Sequence, residues 1–294
     1  MGKIDFSFCI VNWNGGEQFI RCLQSIETEI TANPKVECEI VVVDNDSSDI
    51  DQEMITSHTH LRFHRNATNV LFASATNQSV EYARGTYLVI LNNDVQLKPG
   101  FLQEALKQLR QHSQVDLIVP RLLNVDGTIQ KNIVGLPKPK DLVYYAFCLH
   151  LISSEYAHWM NPNFIFSQTE TIGTNLQPAF SALIMTRKCW LSVGPLDEQF
   201  PLLWNDVDWF YRFHTAKKKA LYIPTITASH YHGLSVNRHR FKKIITSTRS
   251  MRVYMQKHYP MIGLKSVEYD LIYLQLMLLR FGRELLLMLL RQDT

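Results

Sequence analysis

Residues 83–102 read ARGTYLVILNNDVQLKPGFL. Within them, Thr86–Leu91 is a short apolar run, bounded by Gly85 on one side and by Asn92-Asn93-Asp94 on the other. A run of that length with punctuation at both ends predicts a buried strand. Upstream, Ala73–Arg84 has helical character, with Gly85 placed as its C-terminal cap. Downstream, Pro99 opens a second predicted helix that turns Phe101, Leu102, Ala105, Leu106 and Leu109 inward. Helix, strand and helix therefore follow one another, and the strand stops on polar and acidic residues.

The same alternation extends outward. Phe6–Val11 predicts a buried strand, and Phe19, Ile20, Leu23 and Ile26 fall on one helical face after it. Glu39–Val43 predicts a second strand that stops at Asp44 and runs into the polar loop 45–49. Leu117–Val119 predicts a fourth. Repeated strand–helix units predict an α/β fold with a mostly parallel central sheet covered on both faces. Such sheets bind ligands outside the carboxyl ends of their strands, so Asp44 and Asn92–Asp94 point to one cleft. Residues 121 to about 170 read as a long connection or lid. Beyond it come a strand at Ala182–Thr186 and a helix at Asp206–Lys217 with Trp209, Phe210 and Phe213 as its apolar stripe. A strand at Ile226–Ser229 and helices near 239–258 and 266–291 complete the chain.

Composition sets bounds. The chain has 294 residues, 46% hydrophobic and 19% charged, enough apolar material for a sizeable core. A net charge of +3 is too small to argue for a nucleic-acid partner. Five widely spaced cysteines without a CxxC pair (Cys9, Cys22, Cys38, Cys148 and Cys189) argue against a disulfide framework or zinc site and for a reducing, cytoplasmic setting. No signal peptide is expected at the N-terminus. No run reaches the roughly 18 apolar residues of a membrane span.

Several polar groups carry candidate chemistry. Asp44, at a strand end, can accept from the imide N–H of a pyrimidine, or simply close a turn. Asn92-Asn93-Asp94 suits a divalent cation completed by diphosphate oxygens, or a turn. Asp206 follows Trp204 and Asn205 as the expected N-cap of the next helix, where an ionised carboxylate is favoured and can act as a general base. Asp208 is its rival. His230 and His232 alternate on a strand end and face opposite sides; one of them is a candidate metal ligand.

Together these segments resemble the inverting family 2 glycosyltransferases of GT-A fold, and within them the rhamnosyltransferase-like branch of polysaccharide and O-antigen synthesis. The carrying stretches are FCIVNWNGGEQFIRCLQSI (8–26), EIVVVDNDSSD (39–49), residues 83–102 as quoted above, PRLLNVDGTIQ (120–130), VGPLDEQFPLLWNDVDWFYR (193–212) and SHYHGLS (229–235). The resemblance implies a donor site built from the backbone around Val11 and Asn12, with Asp44, Asn77, Asn92, Asn93, Ser181 and Ala182. It implies Asp94 and His230 as ligands of Mg²⁺ or Mn²⁺, and Asp206 as the base. Trp204, Asn205, Asp208 and His232 form the acceptor or secondary set. Asn92, Asn205 and Ser181 stand where Asp, Glu and Gly are usual.

The implied reaction is a single displacement. An acceptor hydroxyl attacks the anomeric carbon of dTDP-rhamnose or a UDP-sugar, and the acceptor is a saccharide or lipid-linked saccharide of surface polysaccharide. Residues 1–238 would form the GT-A domain, and 239–294 a helical extension packed on it. The Leu-rich, basic pattern of 266–291 suits a helix lying on a membrane or a homodimer contact, and so a peripheral place at the inner face of the plasma membrane. Two other functions fit parts of the pattern. A nucleotidyltransferase is opposed by the absence of Lys or Arg from Asn12-Trp13-Asn14-Gly15-Gly16. An inactive nucleotide-sugar-binding module is permitted by Asn92 and Asn205.

Overall fold

The computed structural model describes residues 4–50, 55, 58–147, 166–231, 240–260, 268 and 270–282. Four strands open the chain: β1 (Phe6–Asn12), β2 (Cys38–Asp44), β3 (Leu61–Arg65) and β4 (Tyr87–Asn92). They lie parallel in the order β3-β2-β1-β4. Their register levels the carboxyl ends, since Asn12 faces Asp44 and Val11 faces both Val43 and Asn92. Helices α1 (Gly16–Ala32) and α2 (Leu71–Tyr82) make two of the crossovers. The later elements are β5 (Val95–Leu97), α3 (Phe101–Gln111), β6 (Leu117–Leu123), β7 (Ile133–Gly135), α4 (Pro139–Ala146), β8 (Glu170–Thr171), β9 (Leu176–Pro178), β10 (Ala182–Thr186), α5 (Arg187–Val193), α6 (Asn205–Thr215), β11 (Ala220–His230) and α7 (Arg240–His258). The full sheet runs β3-β2-β1-β4-β10-β6-β11-β5, with β8 joined to β11. Strand β10 is antiparallel to β4 and β6, so its amino end reaches the edge where the parallel strands finish.

The α/β expectation holds, and the core follows the sequence pattern. Phe6, Phe8, Ile10, Ile40, Val42, Val89 and Leu91 share one apolar cluster with Phe19, Leu23 and Ile26 of α1 and Phe101, Leu102 and Ala105 of α3. Each of the larger side chains, fully buried, contributes about 1.5–3 kcal/mol.

Three local expectations are corrected. Helix α3 starts at Phe101 rather than Pro99, behind Gly100 at φ 86°. Gly100 has no side chain to cap the helix, and Glu29 of α1 does so instead: it accepts from Gly100 N at 2.9 Å and Leu102 N at 2.8 Å. Glu29 is 3% exposed, so Glu29→Ala leaves the buried Leu102 N–H unpaired. We expect a loss of about 2–3 kcal/mol, measured by urea unfolding. Gly85 is not a left-handed cap either. Helix α2 ends at Tyr82, and Gly85 is a close approach, where an added Cβ would stand 2.6 Å from Ser7 N. Finally, β11 runs from Ala220, well before the expected Ile226. Pro224 interrupts the apolar pattern, and the pairing with β6 shifts register between Ile223 and Thr227.

The chain divides into two compact units, one of residues 1–133 and 163–232, the other of 134–162 and 233–294. The first contains the large sheet. In the second, α4, α7 and the helical residues 270–282 are described. Gln275 Nε2 donates to Ala146 O at 2.7 Å, Arg252 pairs with Asp270 at 2.9 Å, and Phe241 stacks on Phe281. Leu271, Leu274 and Leu278 are exposed. The run Leu285–Leu290 lies outside the described residues. No described helix is long and apolar enough to cross a membrane.

Candidate active site

The level strand ends form the floor of the site, and Asn12 ties them together. Its side chain, fully buried, donates to Asp44 Oδ1 at 2.9 Å and Ser47 Oγ at 3.1 Å, and accepts from Asn93 Nδ2 at 2.8 Å. The resemblance implied only the backbone near Asn12; here the side chain joins the β2 loop to the β4 loop. Asp44 is also fully buried, and it accepts in addition from Ser47 N at 3.0 Å. Its carboxylate therefore holds the 45–49 loop in place, and a nucleobase would have to compete for it.

Gly15 covers this knot. An added Cβ would lie 2.4 Å from Asn93 Nδ2 and 2.5 Å from Asn12 Oδ1. Gly15→Ala should separate the Asn12–Asn93 pair and cost about 1–3 kcal/mol. Thermal denaturation with and without a nucleoside diphosphate measures both the stability cost and any loss of ligand stabilisation.

Asp94 and His230 meet next to this knot. Strand β5 pairs with the end of β11, so Val95 faces His230, and Tyr231 N donates to Asp94 O at 3.0 Å. Asp94 Oδ1 lies 3.2 Å from His230 Nε2, yet it is buried and makes no hydrogen bond. Adjacent ligands of an octahedral cation at about 2.1 Å stand about 3 Å apart, so the two atoms fit one divalent ion. No group of three or more His, Cys, Asp or Glu side chains gathers among the described residues. Such an ion would complete its shell with water and phosphate oxygens, as Mg²⁺ commonly does. Asn92 adds a third polar contact, with Nδ2 3.4 Å from His230 Nε2.

Asp206 is the second residue of α6, not its N-cap; that place belongs to Trp204, in the left-handed conformation at φ 72°. Asp206 accepts from Val207 N at 2.8 Å. Burial of the carboxyl pushes its pKa up to about 6, against the lowering effect of that bond. A base in this range is ionised at neutral pH and still basic enough to take a proton. Asp208 is the fourth residue of α6. It is fully buried on the core side of α6, and Arg212 Nε donates to it at 2.9 Å. The other guanidinium nitrogens of Arg212 hold Val193 O and Pro195 O, which makes Asp208 a brace. Asn205 is buried and donates to Phe200 O at 3.4 Å.

Ala182 begins β10 and Ser181 precedes it, beside Asn92-Asn93-Asp94, where Ser181 O accepts from Asn92 N at 2.9 Å. Asn77 lies on α2. Its amide grips Leu196, donating to O and accepting from N, each at 2.9 Å. His232 lies outside the described residues. Sequence reasoning gave no role to Gly15, Ser47 or Gln130. All three fall within the stretches that carry the resemblance, but the contacts that bring them to the site span the chain: Gly15 to Asn93, Ser47 to Asn12 and Gln130 to His230.

The sheet order, the acidic strand ends and the helices define a GT-A glycosyltransferase fold, as solved structures also show. The chain aligns with Staphylococcus aureus TarS (residues 1–349, in complex with UDP) at a TM-score of 0.57 and 15% identity, over 92% of this chain and 70% of that one. It aligns with GalNAc-T7 bound to UDP, GalNAc and Mn²⁺ at a TM-score of 0.60 and 14% identity, over 86% and 48%. Residues 7–173 match Glycosyl transferase family 2, and the chain belongs to that family. An uncharacterized protein of Mycobacterium tuberculosis is 34% identical over 124 residues, 41% of this chain and 37% of the relative. An uncharacterized glycosyltransferase of Methanocaldococcus jannaschii is 26% identical over 160 residues, 51% and 54%. The chain thus spans about half or less of the length of these two relatives.

Proposed function

We propose that the protein is a metal-dependent inverting glycosyltransferase that moves a sugar from a nucleoside diphosphate donor to a hydroxyl of a saccharide or lipid-linked saccharide. The observation that carries this reading is the buried Asp94 oxygen, without a hydrogen bond and 3.2 Å from His230 Nε2, at the carboxyl edge of a family 2 sheet. A divalent cation bound there would balance the charge developing on the leaving diphosphate. Asn12, Asp44 and Asn93 shape the donor floor. Asp206 takes the proton of the acceptor hydroxyl as that oxygen attacks the anomeric carbon from the face opposite the diphosphate, which inverts the configuration.

The donor is dTDP-rhamnose or a UDP-sugar. The rhamnosyl option rests on the sequence resemblance; the UDP option is supported by the UDP bound to both aligned structures. Residues 1–238 are proposed as the catalytic domain. The exposed face Leu271, Leu274 and Leu278 supports a peripheral membrane contact for the remainder, close to a lipid-linked acceptor. The test is nucleotide-sugar turnover with Mn²⁺ across UDP-, dTDP- and GDP-sugars, scored as nucleoside diphosphate released. Release from one donor class supports the reading and names the donor. Absence of both release and transfer, with a saccharide acceptor supplied, overturns it in favour of a binding module.

A further inference from the structure

The hydrogen bonds behind His230 have a direction. Asp126 Oδ1, a carboxylate oxygen that only accepts when ionised, takes the hydroxyl proton of Thr128 at 2.6 Å. With its proton so directed, Thr128 Oγ1 accepts from Asn124 Nδ2 at 2.9 Å. That turns Asn124 Oδ1 toward Gln130, whose Nε2 donates to it at 3.1 Å and to the backbone carbonyl of His230 at 3.4 Å. The carbonyl can only accept, which fixes the orientation of the Gln130 amide independently of the loop. Gln130 Oε1 is then left facing His230 Nδ1 at 2.7 Å, where it can only accept. Nδ1 must carry the hydrogen, and Nε2 is the nitrogen that faces Asp94 Oδ1.

The backbone supports this arrangement. Residues 122–130 form a tight turn, with Asn124 N bonded to Thr128 O at 2.8 Å and Gln130 N to Leu122 O at 2.8 Å. Gly127 takes φ 83° at its tip. Gln130 is 5% exposed and His230 4%, so water does not scramble the pair.

We propose that Gln130 is a positioning residue for the metal centre: it holds His230 in the Nδ1–H tautomer so that Nε2 is delivered, with Asp94, to a divalent cation. The inference rests on the metal reading above. When the imidazole is neutral, the Nε2 lone pair and the carboxylate oxygen at this separation repel each other, and a cation between them would turn that repulsion into ligation. An orienting partner on the far nitrogen of a ligand histidine typically accounts for about 10–100-fold in metal affinity.

The test uses two readouts on the full chain. Two-bond ¹⁵N–¹H correlation spectra of the metal-free protein report the tautomer of His230. Mn²⁺ titration in the presence of UDP, followed by the electron paramagnetic resonance of free Mn²⁺, reports affinity. The wild type should show one Nδ1–H tautomer. Gln130→Leu should lose that single tautomer and bind Mn²⁺ about 10–100-fold more weakly. Gln130→Ala admits a water that can donate or accept; it keeps the test alive if the leucine variant does not fold, and should give the same two changes. Should both variants keep the tautomer and the affinity while Asp94→Ala loses Mn²⁺, the role of Gln130 is refuted and the metal reading stands. Should the wild type bind no Mn²⁺ and Asp94→Ala change nothing, the metal reading fails and the inference falls with it.

Discussion

Replacing Asp206 by Asn is expected to lower glycosyl transfer by about 10²–10⁴-fold, the usual contribution of a positioned general base, while making the protein more stable. The two effects share one cause. Burial raises the carboxyl from its usual 3.8 to about 6. The native state therefore binds a proton more tightly than the unfolded chain, and stability falls as pH rises through the window from about 4 to about 6. Above that window the ionised carboxylate costs about 3 kcal/mol. Asn keeps an oxygen to accept from Val207 N but carries no charge, so the variant should gain most of that amount at pH 7 and almost none at pH 4. For activity the sign is opposite: wild-type kcat/KM should rise with pH through about 6 and level off as the base ionises. Urea unfolding at the two pH values and a pH–rate profile check the pair. An inactive variant without the stability gain would show that Asp206 is solvated rather than buried.

Asp94→Ala is expected to reduce transfer by about 10³-fold or more, in line with the several kcal/mol of charge stabilisation a catalytic metal supplies. Here stability should change little, because Asp94 Oδ1 has no hydrogen bond to lose. Chelation of the wild type should reproduce the loss, and added Mn²⁺ should restore the wild type but not the variant. Initial rates of nucleoside diphosphate release, with and without chelator, measure this. Equal sensitivity of Asp94→Ala and wild type to chelation would place the metal elsewhere. The contrast with Asp206→Asn is diagnostic, since one carboxylate costs stability through burial and the other faces His230 Nε2 at 3.2 Å.

Much of the fold was legible in the amino-acid order. The apolar runs at Phe6, Glu39 and Thr86 became β1, β2 and β4 because uninterrupted burial on both faces is what a central parallel strand requires. The stripe of Trp209, Phe210 and Phe213 became the buried face of α6, all three fully buried. Strand β3 was missed because Leu61–Arg65 alternates polar and apolar residues at only partial burial, and β11 because Pro224 divides it.

The sequence by itself determined the family, the α/β order and which carboxylates end strands, because those properties follow from local periodicity and from motifs a few residues long. Tertiary structure decided which of those groups are available for chemistry. Asp206 and Asp208 are two residues apart on one helix, yet one keeps a raised pKa and the other is neutralised by Arg212. Asn77 grips Leu196, and Asn12 becomes the knot between two loops. Gln130 and His230 are 100 residues apart and meet at 2.7 Å. Hydrogen bonds are directional and short, so their partners are fixed by where the sheet brings the chain together, and no local pattern encodes a contact across that distance.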